Sequence, residues 1–461
     1  MISTRKHLWR NFGVVIAFTV LYLIVTVLAA EFLSFTGGGG GALVFKRSKR
    51  SKNIKKQATK GNDEEQVQNG SDSAALARGE HKDGVSNDTF NKISSSDRIF
   101  IWSGVDYTVP YGNGTRKLLN DVNGFAKPGL MIALMGASGA GKTTLLNTLA
   151  QRQKMGVVQG EMLVDGHALG TDFQRGTGFC EQMDLHDNTA TIREAFEFSA
   201  ILRQDRKTPR SEKMDYVDRI IELLELEEIQ DAIIGSLSVE QKKRVTIGVE
   251  LAAKPSLLLF LDEPTSGLDS QAAFSIVRFL KKLSQAGQAI VCTIHQPSSM
   301  LIQQFDMILA LNPGGNTFYF GPVGREGAAV IKYFADRGVV CPPTQNVAEF
   351  ILETAAKADK VDWNEEWKKS EQNQRILDEI QRIREERSKL PVPEAGEQYE
   401  FAAPVSTQCI MLIQRLFLQY WRDPSYYYGK LFVSVIIGIF NGFVSPPRLS
   451  PAFVFAFWSG C

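Results

Sequence analysis

Three features are scarce in this 461-residue sequence. Cysteine is one, and the five cysteines lack paired or metal-ligand spacing, which favours a reduced, cytosolic compartment for the main domain. Excess charge of one sign is another, because the formal net charge is only +1, and this argues against a nucleic-acid partner. Long charge-free apolar runs are the third, although residues 12–30 are long enough for one membrane span. The 44% of hydrophobic residues therefore suffices for one sizeable folded domain, with some apolar sequence left over.

The first motif with a clear chemical meaning is GASGAGKT, a phosphate-binding loop of the form G-x-x-x-x-G-K-[ST]. It follows the apolar run 130–135 and precedes the helix-like stretch 144–151, so the sequence predicts strand, loop and helix in the order that such a loop requires. Backbone N–H groups would then face a polyphosphate, Lys142 would reach its β- and γ-phosphates, and the Thr143 hydroxyl would bind Mg²⁺. The residues expected to contact the nucleotide are Gly136, Ala137, Ser138, Gly139, Ala140, Gly141, Lys142, Thr143 and Thr144.

A second constellation is a pair of acidic residues after the apolar run 257–261. That run is typical of a strand buried on both faces of a parallel sheet, and it places Asp262 and Glu263 at the carboxyl end, where open α/β sheets bind ligands. Asp262 is suited to hold the Mg²⁺ shell, and Glu263 can polarise or deprotonate the attacking water. Such pairs also cap strands without any catalytic role, but the continuation PTSGLDS favours the catalytic interpretation.

These motifs resemble those of the ATP-binding cassette (ABC) ATPases, and the other motifs of that family follow in order. The resemblance implies an α/β fold, a P-loop ATPase domain with a helical subdomain, which we place at 192–226. It implies ATP and Mg²⁺ as cofactors. By position, Gln182 would contact metal and water and face a membrane domain, while His295, after the strand-like run 289–294, would contact the γ-phosphate. The resemblance thus assigns catalysis to Glu263, His295 and Gln182, metal binding to Thr143, Gln182 and Asp262, and the D-loop to Ser266 and Asp269.

The signature motif departs from the family pattern LSGGQ. The chain has LSVEQ, so the signature residues are Ser238, Val239, Glu240 and Gln241. In ABC dimers the signature of one cassette closes the phosphate loop of the other. A valine side chain would obstruct close backbone approach, and a carboxylate beside a triphosphate would be repelled. We therefore expect the competent site to require a signature from a second cassette.

Longer phrases resemble the fungal pleiotropic drug resistance transporters, over the stretch that contains their second nucleotide-binding domain. These phrases include ALMGASGAGKTTLLNTLAQR, LLFLDEPTSGLDSQAA and CTIHQPS, and RLFLQYWRDPSYYYGKLF resembles the start of the second membrane domain. The resemblance implies a second cassette and membrane domains as partners. It further implies ATP-driven export of amphipathic compounds. The expected location is a membrane, the plasma membrane in such relatives, with the nucleotide-binding domain on the cytoplasmic side.

The expected organisation follows from composition along the chain. Residues 1–36 carry the apolar run 12–30, whose basic flanks predict one membrane span with a cytoplasmic C-terminal side. Residues 37–96 are polar and basic and are expected to form a disordered linker. The cassette is expected at 97–340, a helical connector at 341–400, and an elbow helix with a truncated membrane segment at 401–461. The lipid bilayer is accordingly an expected partner, and the fold class includes membrane helix segments at both ends.

Some alternatives stay open at this point. Trp102, Tyr107 and Tyr111 precede the phosphate loop, and Tyr111 has the spacing of an adenine-stacking ring, although strand packing explains it equally well. Two other functions are compatible with the motifs. One is an ABC ATPase that acts outside transport, against which the predicted membrane segments argue. The other is a regulatory fragment that binds nucleotide without hydrolysing it.

Overall fold

The structure, a computed structural model, describes residues 97–444 apart from 113, 171–172, 296, 343–344, 357–360 and 391–400. The predicted membrane span at 12–30 and the predicted linker at 37–96 lie outside the described residues. The chain divides into two units, one formed by residues 78–422 and the other by residues 1–77 with 423–461. All the strands described below belong to the first unit.

The described part of the first unit is built around a sheet of ten strands in the order β5-β4-β1-β2-β10-β9-β3-β8-β7-β6. Its strands are β1 Phe100–Tyr111, β2 Gly114–Ala126, β3 Met131–Gly136, β4 Val157–Val164, β5 His167–Ala168, β6 Thr177–Cys180, β7 Leu258–Leu261, β8 Ala289–Thr293, β9 Met307–Asn312 and β10 Asn316–Pro322. Strands β9, β3, β8, β7 and β6 pair in parallel, whereas β5, β4, β1 and β2 form an antiparallel wing.

The parallel strands are buried on both faces, as their apolar sequences predict. Every residue of β3, β6, β7 and β8 is buried. Such a sheet needs a helical layer on each face, because exposed parallel strands would leave these apolar side chains in water. The α/β fold class is therefore confirmed, and the strands that precede the predicted motifs are buried in the core.

The helices are α1 Lys142–Leu149, α2 Phe173–Gly176, α3 Ile192–Arg203, α4 Arg210–Leu223, α5 Val239–Ala252, α6 Ser270–Gln285, α7 Ser299–Ile302, α8 Ala328–Ala335, α9 Val347–Ala356, α10 Trp363–Lys368, α11 Glu371–Arg387, α12 Val405–Arg422 and α13 Pro424–Val444. Helix α6 illustrates how they pack. Its buried residues recur at helical spacing, from Ala272 and Ile276 to Leu280 and Leu283, and face the sheet.

Helices α3, α4 and α5 form the helical subdomain that the sequence predicts near 192–226. Helix α3 begins with a capping box, in which Thr191 and Glu194 satisfy each other's backbone N–H groups. Gly248 lets α5 approach α3 closely, because a Cβ at this position would lie 2.2 Å from the Phe196 ring. Tight packing of the three helices thus depends on one small residue at their crossing.

The helices predicted to be a connector pack on the sheet. Trp363 and Trp367 of α10 are buried. The ring centroid of Trp363 lies 5.0 Å from that of Phe334, and the ring centroid of Trp367 lies 5.8 Å from that of Tyr319. The Asn364 side chain donates to the backbone oxygen of Thr317 in β10 at 2.7 Å. The predicted boundary at residue 340 stays a prediction, but this part of 341–400 shares the core of the cassette.

Two helices follow at the C-terminal side, and each belongs to a different unit. Helix α12 extends the predicted elbow helix, 409–421, by four residues at its start and one at its end. Helix α13, in the second unit, has 21 residues with many exposed apolar side chains. Among the residues that the structure describes, no helix combines the length and hydropathy needed to cross a bilayer.

Candidate active site

Four motifs meet at one edge of the sheet. The phosphate loop follows β3, Gln182 follows β6, the acidic pair follows β7, and His295 follows β8. Because these four strands are parallel, their carboxyl ends lie at the same edge. Residues separated by more than a hundred positions in the sequence therefore surround a single region.

The phosphate loop depends on two glycines. A Cβ at Gly136 would lie 2.5 Å from the backbone oxygen of Leu311, so the strand end admits no side chain here. Gly141 has φ 96° and directly precedes α1, where a left-handed conformation favours glycine. These two positions let the loop turn from β3 directly into the N-terminus of α1, the end of a helix that favours anions.

Lys142 lies inside this turn. Its ammonium donates to the backbone oxygens of Gly136 at 2.9 Å and Ala137 at 3.1 Å. Burial lowers the pKa of Lys142, although the nearby carboxylates of Glu263 and Asp262 oppose that shift. A buried cation held beside a ring of N–H groups is suited to polyphosphate.

Asp262 is joined to the phosphate loop by a hydroxyl. Thr143 Oγ1 donates to Asp262 Oδ1 at 3.1 Å, and the Asp262 side chain is buried. Both predicted magnesium ligands after β3 and β7 are therefore adjacent. Their oxygens are hard donors of the kind that Mg²⁺ prefers, and a metal held mainly by phosphates and water needs only one or two protein ligands. The two residues thus fit a magnesium ion that arrives with a nucleotide.

Glu263 is held in an uncommon backbone conformation. Its φ is 47°, in the left-handed region that non-glycine residues seldom adopt. Its carboxylate accepts a hydrogen bond from Gln182 Nε2 at 2.8 Å. The predicted general base and the predicted water-contacting amide therefore lie side by side, as activation of one water molecule requires.

Thr293 is a site residue that the sequence reasoning missed. Its hydroxyl donates to Asp262 Oδ1 at 2.7 Å and accepts from the Glu263 N–H at 2.7 Å. In the sequence, Thr293 is a single hydroxyl residue inside the apolar run 289–294. Such a residue is common in strands and does not by itself indicate a functional role. Strand order, which places β8 next to β7, is what brings this hydroxyl to the acidic pair.

Lys243 is a second such residue. It is only 4% exposed, and its ammonium donates to the backbone oxygen of Gln182 at 2.7 Å and pairs with Asp184 at 3.2 Å. Since Lys243 belongs to α5, the helix that begins at the signature motif is tied to the loop that carries Gln182. In the sequence Lys243 stands in the basic run KKR, which does not indicate a buried contact with the loop of Gln182.

The remaining predicted residues lie in the loops of this edge. His295 is exposed after β8. The backbone N–H of Ser266 donates to the backbone oxygen of Glu263 at 3.0 Å. Asp269 caps α6 by accepting from the N–H groups of Gln271 and Ala272. Asp269 thus has a local structural task in addition to its predicted place in the D-loop.

The residues of the signature motif have different surroundings. The Glu240 carboxylate accepts from Arg244 at 2.9 Å, one turn further along α5, so it is paired within its own chain rather than bare. Val239, in contrast, is 53% exposed. Ser238 and Gln241 form a capping box at the start of α5. Of the two residues that replace the family's glycines, Val239 is therefore the one whose side chain is exposed without a charged partner among the described residues.

The three aromatic residues upstream of the phosphate loop differ in exposure. Trp102 is fully buried, and Tyr107 is 4% exposed with its hydroxyl bonded to the backbone oxygen of Met155. Tyr111, at the end of β1, is 67% exposed, with the Arg116 guanidinium 5.7 Å from its ring centroid. Of the three, Tyr111 alone presents a ring to solvent.

Comparison with known proteins agrees with this geometry. The family described as ABC transporter matches residues 119–266, and the family described as CDR ABC transporter matches residues 3–54. The chain is 82% identical to the ABC multidrug transporter atrF of Aspergillus flavus and 80% identical to that of Aspergillus fumigatus, in each case over 95% of this chain and 29% of the relative. It is 45% identical to the ABC multidrug transporter G of Aspergillus fumigatus, over 95% of this chain and 31% of that protein.

Solved structures include two similar cassettes. One is CbiO1 of Clostridium perfringens, with 25% identity and a TM-score of 0.44 over 52% of this chain and 92% of that one. Another is a bacterial ABC transporter cassette solved as a dimer, with 26% identity and a TM-score of 0.43 over 49% of this chain and 99% of that one.

Motif order, sheet topology and the edge site define the chain as carrying an ABC-type nucleotide-binding domain. Residues 119–266 match the family described as ABC transporter, and the chain is similar to fungal ABC multidrug transporters. It spans less than a third of the length of these relatives.

Proposed function

We propose that this chain binds and hydrolyses ATP as the second cassette of an exporter of drugs or xenobiotics. The observation that carries the proposal is the meeting of Lys142, Thr143, Asp262, Glu263 and Gln182 at one edge of the sheet. These five side chains supply what phosphoryl transfer to water requires, namely charge for the phosphates, oxygen ligands for a metal, and a base beside a polar amide.

In this proposal each residue has a defined role. Lys142 binds the β- and γ-phosphates, and the N–H groups of Gly136 to Thr144 cradle them. Thr143 and Asp262, with Gln182, would hold Mg²⁺, which would supply positive charge beside the phosphate oxygens. Glu263 takes a proton from the attacking water, which Gln182 orients. His295, from its exposed place after β8, would contact the γ-phosphate, and Tyr111 would stack on adenine.

The site is proposed to be completed by a partner cassette. Its signature would close the phosphate loop of this chain, while Ser238, Val239, Glu240 and Gln241 of this chain, with the D-loop residues Ser266 and Asp269, would face the partner. The atrF relatives are named multidrug transporters, which supports the export of drugs as the work that hydrolysis drives.

A membrane location is also part of the proposal. The exposed side of α12 carries Ile413, Phe417 and Trp421, each at least 65% exposed. An amphipathic helix of this kind lies along a lipid surface. The cassette would then be cytoplasmic, next to the membrane domains of the transporter and, in such relatives, at the plasma membrane.

The test is Glu263→Gln, compared with Glu212→Gln in α4, which removes an exposed carboxylate far from the site in sequence. The amide at position 263 still hydrogen-bonds water but cannot accept its proton, so Mg-ATP binding should persist while turnover falls by about 100-fold or more. Calorimetry measures binding, and phosphate release at saturating Mg-ATP measures turnover, in the transporter or with a partner cassette that carries LSGGQ.

The outcomes separate the proposed function from its alternatives. Turnover that is lost with Glu263→Gln and kept with Glu212→Gln supports the hydrolytic role. Equal turnover of parent and Glu263→Gln would exclude Glu263 as the base. Binding without any turnover in the parent, even with the partner signature present, would favour the regulatory nucleotide-binding alternative.

A further inference from the structure

Thr293 connects the two acidic residues of the site through one hydroxyl group. We propose that Thr293 is a positioning residue, which orients Asp262 toward the metal and holds the backbone of Glu263. This inference rests on the proposed function, since it names a further residue on which the same reaction depends.

The hydroxyl uses its hydrogen-bonding capacity on the acidic pair. A threonine hydroxyl has one proton to donate and two lone pairs that accept. Here the proton goes to Asp262 Oδ1 and a lone pair receives the Glu263 N–H, both at 2.7 Å. Thr293 is fully buried, so water has no access to replace these bonds. Loss of the hydroxyl would leave a buried N–H without an acceptor.

The direction of the Asp262 carboxylate is set by two hydroxyls. Thr143 donates to the same oxygen, Oδ1, at 3.1 Å. If Thr143 turns to a metal, as its predicted role requires, Thr293 is the donor that remains on Oδ1. Carboxylates that hold metals usually have such supporting hydrogen bonds, and removal of the support typically costs about 10- to 100-fold in metal affinity or activity.

The backbone of Glu263 needs support for another reason. Its φ of 47° is unfavourable for a residue with a side chain, and such conformations persist where surrounding contacts hold them. The Thr293 hydroxyl binds the N–H of that residue. The same bond therefore fixes the direction in which the Glu263 carboxylate leaves the strand end, toward Gln182.

Strand pairing fixes Thr293 itself. Leu261 pairs with Cys292 between β7 and β8, which places Thr293 beside Asp262, the next residue of the chain. On the other side of β8, Thr293 pairs with Leu134 of β3, shortly before the phosphate loop. Its backbone is thus held between the two strands that deliver the acidic pair and the loop.

The experiment compares Thr293→Val with Thr293→Ser. Valine keeps the shape but lacks the hydroxyl, whereas serine keeps the hydroxyl. We expect Thr293→Val to lower kcat by about 10- to 100-fold with a small change in KM for ATP, and Thr293→Ser to recover most of the rate. The Mg²⁺ concentration for half-maximal ATP binding, measured by calorimetry, should rise by about 10-fold in the valine variant alone.

Thr317→Val is the matched control, because Thr317 is a buried strand threonine whose hydroxyl has no partner among the described residues. It should behave like the parent in both measurements. If Thr293→Val does not fold, Thr293→Ala and Thr293→Ser form a second pair that differs only in the hydroxyl, and the same comparison applies.

Three results would overturn the inference: a valine variant that matches Thr317→Val in kcat and Mg²⁺ dependence, a serine variant as defective as the valine variant, or an alanine variant equal to serine. A Glu263→Gln arm separates this failure from failure of the proposed function. If Glu263→Gln turns over like the parent, the proposed hydrolysis fails, while the Mg²⁺ dependence of ATP binding still decides the role of Thr293.

Discussion

At the scale of single residues, Lys142 combines burial with charge. Lys142 is only 7% exposed, and its ammonium donates to two backbone carbonyls of the loop. Glu263 and Asp262 lie near enough to oppose the lowering of its pKa by burial. A buried cation remains charged when such partners are present, and its natural partner in this loop is a polyanion. Nucleotide binding should therefore depend on this residue.

We predict that Lys142→Ala lowers the affinity for Mg-ATP by about 10-fold or more, since the β- and γ-phosphates lose their main side-chain charge partner. Isothermal calorimetry measures the affinity, and circular dichroism checks the fold. The matched control is Lys154→Ala, which removes an exposed lysine from a loop. Affinity in Lys142→Ala that equals the affinity in Lys154→Ala would contradict the assignment of the phosphate loop.

At the scale of elements, α12 rests on α3 through its basic residues. Arg422 makes two hydrogen bonds with the Glu194 carboxylate, at 2.6 and 2.7 Å, and a third with the Thr189 carbonyl at 3.0 Å. Arg415 pairs with Asp187 and lies over the Phe198 ring. Charged groups of α12 thus face the cassette while its large apolar side chains are exposed, and α3 begins ten residues after Gln182.

We predict that Arg422→Gln and Glu194→Gln are coupled by about 1 kcal/mol in a double-mutant cycle, because both groups are partly exposed and solvent weakens the pair. Burial raises the pKa of Glu194, but Arg422 and the Thr191 N–H outweigh burial and lower that pKa below its ordinary value. The contribution of this pair to the free energy of unfolding is therefore complete above the ordinary glutamate pKa, and it is lost as the pH falls through the lowered pKa of Glu194.

Urea unfolding at neutral and at acidic pH measures this coupling. The control is the exposed pair Arg375 and Glu371 on α11, whose coupling should be about 0.5 kcal/mol or less. A coupling between Arg422 and Glu194 that is no larger than the control, or that is unchanged in acid, would show that α12 is held by other contacts.

At the scale of the whole molecule, the altered signature decides how copies of this chain can cooperate. In a head-to-tail pair of identical chains, each phosphate loop would face Val239 and Glu240 of the other. The Glu240 carboxylate is already paired with Arg244, which also contacts Glu225 and Ser275. In such a pair, the Val239 side chain would keep the backbone N–H groups of the signature away from the γ-phosphate bound to the facing chain.

We predict that the chain alone binds ATP but hydrolyses it slowly, and that Val239→Gly raises the rate by about 10-fold or more where the chain dimerises, since it restores backbone approach. Glu240→Gly should add little by itself, because it removes a carboxylate that Arg244 already pairs. Phosphate release at saturating Mg-ATP compares parent, both single variants and the double variant. A parent that turns over rapidly alone, with no gain from glycine, would favour a self-sufficient ATPase.

The sequence by itself determined the parts of the site that depend on local chemistry. The glycines of the motif and a lysine before a hydroxyl residue predicted the phosphate loop and the role of Lys142. Apolar runs that end in acidic residues predicted the buried strands and the roles of the acidic pair. These features could be predicted because turn geometry and strand burial depend on neighbouring residues.

Only the tertiary structure decided the contacts between distant residues. Thr293 lies 31 positions from Asp262, Lys243 lies 61 from Gln182, and both meet their partners through strand order and helix packing. The burial of Trp363 and Trp367 likewise depends on which side chains the fold brings together. A sequence pattern specifies which face of an element is apolar, but the partner of each polar side chain follows from register and packing over long separations.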